Sequence, residues 1–359
     1  MGEDGACPER RSDLVIEIPA LFCLGNAGQY TEAGVRLLEA TGKVSRIAFG
    51  SESGDAVSLA RIAETFRDHD EEIRDRIRSL SGTGLSYPAA RSLAYAGARA
   101  AINGSDPDED PEILNDLRIL EKSNDILGIE YIKAMKSAEP VVIHRKGAGY
   151  SDPYDEGSPY QSSSALREQS FSGLDVSGYV PQFVSEALKE CHLTGPDKDG
   201  WFDALRYAVL SADEGAMEDH PSAGEGLTNL MKPALESADS WTSFISSMKS
   251  RRYTYTRLSR LCMQLLLGIT RSKYDISEPE YIRVLGFNER GRELLAEMRN
   301  EESASLPVII NVNKSSGALS EKALKLLELG MHAADIYNLM TGTDIRQGSD
   351  RRHAPVMIR

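Results

Sequence analysis

Cysteine is scarce and scattered: Cys7, Cys23, Cys191 and Cys262 stand singly, with no CxxC pair. That argues against a disulfide framework and a thiolate zinc site, and it suits a reducing cytoplasm. The six histidines are also isolated, with no HxH or HExxH spacing, so no protein-held transition metal is expected. Long apolar runs are missing too. The most apolar stretch, Leu265 to Ile269, is soon followed by Arg271 and Lys273, so no membrane partner is expected. The opening MGEDGACPERRSD has no apolar centre and does not read as a secretory signal. A surplus of positive charge is lacking overall, since the net charge is −14, which by itself argues against a polyanionic partner.

That charge is unevenly spread. From Ser243 to Arg299 there are eleven Lys/Arg against six Asp/Glu, a local excess of +5 inside an acidic chain. Local fields, not totals, decide what binds where. The 359 residues, 41% hydrophobic and 27% charged, are enough for two domains with their own cores.

The first half alternates strands and helices. DLVIEIP (13–19) reads as a strand stopped by Pro19, NAGQYTEAGVRLLEAT (26–41) as a helix, and VSRIAFGSE (44–52) as a second strand. Val57 to Arg78 has the periodicity of one helix, and SYPAARSLAYAGARAAI (86–102) is another, with Pro88 in its first turn. After the acidic loop 103–112 comes a helix over 123–138, with Ser123 or Asn124 at its N-cap, then the strand Val141 to Ile143. Such alternation predicts an α/β fold with a doubly wound parallel, Rossmann-like sheet, whose ligands sit beyond the strands' carboxyl ends. A long Gly/Ser/Tyr/Pro loop covers 147–164. After about residue 195 the periodicity turns helical, until the strand-like LPVIINV (306–312) and two closing helices. There is no internal repeat.

Five segments have residues suited to chemistry. In FGSESGD, Gly50 follows a strand and either makes a tight turn or lets a ligand approach the backbone. In SNDILGIEYIKAM, Asn124 either caps the helix or presents its amide to a nucleoside. HRKGAGYSD sets Arg145 and Lys146 at a strand end before two glycines. This is a basic surface turn, or a set of cations and backbone amides for phosphate. SSSALREQ (162–169) opens a helix on serines with Arg167 in its first turn. A cation there opposes the helix dipole, unless a bound anion is clamped between them. In KSRRYTYTRLSRLC (249–262), Arg251, Arg252, Arg257 and Arg260 are interleaved with Tyr253 and Tyr255. Such a face is either solvated or suited to RNA phosphates and unpaired bases.

Taken in order, DLVIEIP, FGSESGD, SYPAAR, SNDILGIEYIKAM, RKGAGYSD, SSSALRE, RRYTYTRLSR and YIRVLGFNERGRELL resemble the bacterial tRNA(Met) cytidine acetate ligase family, from about residue 13 to residue 340. The resemblance implies a nucleotidyltransferase-like ATP-binding domain over 13–195, after a non-family segment 1–12, and a helical tRNA-binding domain over 196–359 with a short C-terminal α/β portion. It implies that ATP, carrying Mg²⁺, and acetate give acetyl-adenylate. The acetyl group then passes to N4 of the wobble cytidine of elongator tRNA(Met). No stable protein partner is implied. By motif, Gly50, Asn124, Arg145 and Lys146 would contact ATP, Arg167 would close on its phosphates, and Arg251, Arg252, Tyr253, Arg257 and Arg260 would hold tRNA.

Two departures from the family pattern stand out. Family members read GYHD where this chain has Gly149-Tyr150-Ser151-Asp152. They also begin with a strand running into an EYNPFHNGH segment, and no HxGH occurs in these 359 residues. The sheet is therefore expected without its first strand, leaving exposed apolar surface and unpaired backbone. The expectation is a truncated record of an active enzyme, with the chain as written unable to adenylate acetate. The alternatives are a tRNA-binding remnant without catalysis and a nucleotidyltransferase acting on a small molecule.

Overall fold

The computed structural model describes residues 12–357 apart from 148–152, 156, 191–194, 196, 198, 199, 225, 251, 276, 316, 318 and 345–349. Six strands are present among them: β1 (Leu14–Ile16), β2 (Arg46–Ser51), β3 (Glu139–His144), β4 (Ile282–Phe287), β5 (Val308–Ile309) and β6 (Val356–Met357). β2 and β3 run parallel, with Arg46 opposite Glu139 and Ser51 opposite His144. The crossover between them carries five helices joined by short turns, the long connection that parallel pairing needs.

The α/β class holds, but the strands are shared out differently from the expectation. β1, the DLVIEIP strand, lies antiparallel on β4, with Leu14 opposite Phe287 and Ile16 opposite Val284. β4 falls in the segment read as helical, and it also pairs in parallel with β5 and β6. Alternation marks a strand but does not name its neighbour. Here the choice is reinforced by charge: Arg283 on β4 pairs with Glu17, just past β1, at 2.8 Å and with Asp350 at 2.7 Å. Arg283 is buried, so both carboxylates serve to keep that cation compensated.

The helix Ala27–Glu39 joins the two sheets. Asn26 caps it, accepting from the Gln29 N–H, and Gln29 answers with its side chain on the Asn26 N–H. Its buried residues divide among three cores. Val35 packs with Ile47 and Phe49 of β2, Leu37 with Ile282 and Val284 of β4, and Ala33 with Tyr281 and Leu327. The C-terminal α/β portion is therefore packed on residues 14–40. A fourth core, around Trp241, Phe244, Leu205 and Leu261, belongs to the helices between 201 and 266.

Two helix boundaries differ from the expectation. The stretch 57–78 is two helices, Ala56–Asp68 and Asp70–Gly82, broken at His69. The helix Ser123–Ala134 starts one residue earlier than expected, with Lys122 at the cap position, so Asn124 lies inside the first turn.

Candidate functional site

The carboxyl ends of β2 and β3 meet the N-terminus of the Ser123–Ala134 helix. Gly128 in that helix lets it sit tightly on β2, since a Cβ there would be 2.7 Å from the Phe49 ring. This close seat sets the first turn of the helix beside the Gly50–Ser53 bend. The Arg145 N–H donates to the Ser51 carbonyl at 2.8 Å, carrying the ladder one residue past β3.

Three of the predicted residues are brought together here. A Cβ on Gly50 would be 3.1 Å from Cγ of Arg145, so the arginine stem lies across the glycine. Arg145 donates from its guanidinium to Asn124 Oδ1 at 3.0 Å. Asn124 in turn donates to Glu52 Oε1 at 2.6 Å. Lys146 follows on the exposed side of the strand end. Gly147, at φ +97°, packs on Tyr160, and a Cβ there would be 2.4 Å from the tyrosine Cβ. Only glycine tolerates both that angle and that approach.

Tyr160 leads directly to the Ser163–Phe171 helix. Buried Ser162 caps it, accepting from the Ala165 N–H at 3.0 Å. Arg167 stands exposed in its first two turns and reaches Ser164 at 3.4 Å. Among the described residues Arg167 makes no hydrogen bond or ion pair with Asn124, Arg145 or the Gly50 backbone. Ser151 lies outside the described residues.

Glu52 and Asp125 complete the cluster, although neither carries a sequence signal of its own. Asp125 is fully buried and accepts from the Ser51 hydroxyl at 2.5 Å, the Glu52 N–H at 2.8 Å and the Ser53 N–H at 3.0 Å. A hydroxyl and two successive amides thus fasten the bend to the helix start. An acidic residue directly after Asn124 was the available hint, though acids in a first helical turn are ordinary.

Beside this cluster is a cavity of about 410 Å³, lined by Ile16, Ile18, Val35, Phe49, Gly50, Asn124 and Tyr131 among others. It separates β1 from β2. Its walls are mainly apolar, with the polar groups gathered at the Gly50–Asn124 end. On the other strand Val141 and Ile143 remain 37% and 55% exposed, so one face of the β2–β3 pair is uncovered.

The basic segment folds as the Tyr255–Leu266 helix, capped by Thr254. Arg252 and Tyr253 precede it, and Arg251 lies outside the described residues. Arg257 and Arg260 share a face at i, i+3 spacing. The Tyr253 ring is flanked by the Arg252 and Arg257 guanidinium groups, at 5.9 and 5.7 Å from its centre. Tyr253 is buried, so Tyr255, 44% exposed, is the aromatic with an open surface. Arg257 Nε donates to the Ser222 carbonyl at 3.2 Å. Arg260 Nε is buried with no hydrogen-bond partner among the described residues. Burial, then the neighbouring Arg257 charge, holds the Arg260 guanidinium below the usual arginine range.

Among the described residues no group of three His, Cys, Asp or Glu side chains is placed to hold a metal ion. None of the described helices is long and apolar enough to cross a membrane.

Residues 9–352 match the family model described as HIGH Nucleotidyl Transferase. The tRNA(Met) cytidine acetate ligase of Clostridium perfringens is 31% identical over 355 residues, covering 97% of this chain and 84% of the relative. That of Thermoanaerobacter sp. is 31% identical over 355 residues, covering 96% and 84%. Among solved structures, apo Thermotoga maritima TmcAL superposes with a TM-score of 0.85 at 26% identity, covering 97% of this chain and 85% of that one. The same protein bound with alpha-thio ATP gives 0.82 at 26% identity, covering 97% and 84%. Sequence and architecture agree along nearly the whole length, and the chain belongs to the HIGH nucleotidyl transferases and, within them, to the family of tRNA(Met) cytidine acetate ligases.

Proposed function

We propose that the chain binds ATP over the carboxyl ends of β2 and β3 and holds elongator tRNA(Met) along the Tyr255–Leu266 helix, for acetylation of the wobble cytidine. The observation that carries the nucleotide half is the meeting of Gly50, Asn124 and Arg145 at one strand end, beside the Gly50–Asn124 mouth of an apolar cavity. A base fits apolar walls, and a polyphosphate fits the cations beyond them. Thermotoga maritima TmcAL, similar along its length, has been solved with alpha-thio ATP bound, which supports the same ligand here.

In the reaction, an acetate oxygen attacks the α-phosphorus of ATP and the bond to pyrophosphate breaks, giving acetyl-adenylate. N4 of the cytidine then attacks the acetyl carbonyl carbon, AMP leaves, and the N4 proton passes to solvent. No protein nucleophile is required. The protein's task is to place the carboxylate and to stabilise the charge that moves onto pyrophosphate. Arg145 and Lys146 are the cations for that task, with Arg167 closing from the Ser162-capped helix. Mg²⁺ arrives with ATP. Arg251, Arg252, Arg257 and Arg260 meet tRNA phosphates, with Tyr253 supporting the arginines on either side of it. The compartment is the cytoplasm, where the tRNA substrate is.

These 359 residues contain no HxGH, so the charge on the leaving pyrophosphate lacks the imidazoles of that motif. On this reading the chain by itself binds ATP and tRNA and adenylates acetate slowly or not at all. The test is incubation of the chain with ATP, labelled acetate and a tRNA(Met) transcript, together with calorimetric titration of ATP. ATP binding with little acetylcytidine is expected. A folded chain with no affinity for ATP sinks the nucleotide half of the proposal. Turnover of ATP and a carboxylate without any tRNA would favour a small-molecule nucleotidyltransferase. Binding of tRNA alone would leave a remnant without catalysis.

A further inference from the structure

Asp125 is fully buried, and the donors that reach it are dipoles: the Ser51 hydroxyl and the Glu52 and Ser53 amides. A carboxylate is tolerated in a buried position only when its oxygens are satisfied. A side chain needed only for packing would be apolar. This one instead draws the bend after β2 into a single conformation, because its oxygens take a hydroxyl and two successive N–H groups. The Ser51 hydroxyl also accepts from the Gly54 N–H at 2.8 Å, which extends the hold to the end of the bend. The consequence reaches the surface. With its backbone held by Asp125, Glu52 points its carboxylate at Asn124, and Asn124 turns its carbonyl oxygen to Arg145.

We propose that Asp125 is a positioning residue of the nucleotide site, fastening the Ser51–Ser53 bend to the helix start and so orienting the Glu52–Asn124–Arg145 relay. This rests on the reading of that strand end as the ATP site. Asp125 does not touch the nucleotide. It acts through the residues that do, in the way a fully satisfied buried network imposes one geometry on its members.

The test is calorimetric titration of ATP into the complete chain and its variants, with tRNA binding measured in parallel. Asp125→Asn keeps the shape but replaces one acceptor with a donor facing an N–H. It is expected to weaken ATP binding about tenfold, while tRNA affinity changes less than about twofold. The control is Asp116→Asn, an equally buried carboxylate that accepts from Tyr95 at 2.5 Å and Arg61 at 3.1 Å in the same core. That variant lowers the unfolding midpoint but leaves ATP affinity within about twofold. If Asp116→Asn weakens ATP as much as Asp125→Asn does, Asp125 is a stability residue and the proposal falls.

Should Asp125→Asn fail to fold, the relay is tested from its surface end. Glu52→Ala is expected to weaken ATP about threefold and Glu52→Gln, which still accepts from Asn124, to restore it. Equal affinity in both variants and wild type overturns the proposal. A wild-type chain that binds no ATP overturns the nucleotide reading first, and this proposal with it. A wild type that binds ATP as well as Asp125→Asn does overturns the proposal alone.

Discussion

Gln264 donates from its side-chain amide to the Leu24 carbonyl at 2.9 Å and accepts the Ser222 N–H on its other end at 2.8 Å. It is 2% exposed, in the helix that carries Arg257 and Arg260. One buried amide thus ties the helical region to the chain just before the Ala27–Glu39 helix. Gln264→Leu leaves two backbone groups without these partners and is expected to cost about 2 kcal/mol or more, read as a lower urea midpoint. An unchanged midpoint would mean that water replaces both bonds and that the tie is dispensable.

Gly50 is exposed and has an ordinary strand backbone, so its lack of a side chain matters for space rather than for φ. A methyl group there would press on Cγ of Arg145 at 3.1 Å and Cδ at 3.3 Å. Gly50→Ala is therefore expected to displace the arginine and weaken ATP binding about threefold to tenfold, with less than about 1 kcal/mol change in stability. Titration of ATP and a denaturation curve together check it. Full ATP affinity in Gly50→Val would remove this strand end from the nucleotide site.

Arg257 and Arg260 lie side by side; burial first and then the Arg257 charge hold Arg260 below its usual range, and a phosphate between the two would offset that second, smaller cause. Arg257→Ala should weaken tRNA binding and reduce the slope of log affinity against log salt by about one unit. The slope is measured by filter binding between low and physiological salt. If the slope stays the same, Arg257 is no phosphate contact.

His220 is buried, and its Nδ1 lies 2.6 Å from the Ile269 carbonyl, which assigns the ring proton to that nitrogen. Burial, the largest cause, depresses its affinity for a second proton, and Arg271 adds to this against the Ile269 hydrogen bond and Asp219. The unfolded chain therefore takes up a proton near the usual 6.5 that the folded chain still refuses. Stability from this group is complete above that pH and is lost as pH falls below it. The urea midpoint should drop between pH 7 and pH 5. His220→Asn, which keeps a donor for Ile269, should flatten the profile after its own fixed loss of stability. A wild-type midpoint level across that range would contradict the assignment.

Much of the nucleotide end was legible along the chain. Gly50, Asn124 and Arg145 stand at strand and helix ends, where residue type speaks for both geometry and chemistry. Asp125 was not legible, because an acid in a first helical turn looks like dipole compensation until its three donors from 72–74 residues away come into view. The sequence offers Tyr253 and Tyr255 alike beside the arginines; the structure buries Tyr253 between two of them and leaves Tyr255 the more exposed, a distinction that helical spacing alone does not make. The strand Ile282–Phe287 was passed over, since its Arg283 and Gly286 interrupt the apolar pattern that marks a buried strand. Its buried cation is acceptable only because Glu17 and Asp350 reach it from distant parts of the chain.

By itself the amino-acid sequence determined what is local: helix and strand periodicity, the serine-opened helix start at Ser162, and the order of motifs that identifies the family. Those features depend on neighbours a few residues apart, so they can be read from one segment at a time. Tertiary structure alone decided which strands pair, that β1 belongs to the C-terminal sheet, and that a buried carboxylate at 125 holds a bend at 51–53. Those outcomes are set by burial and by charge compensation between residues far apart in the chain, and such terms have no value until the chain has closed on itself.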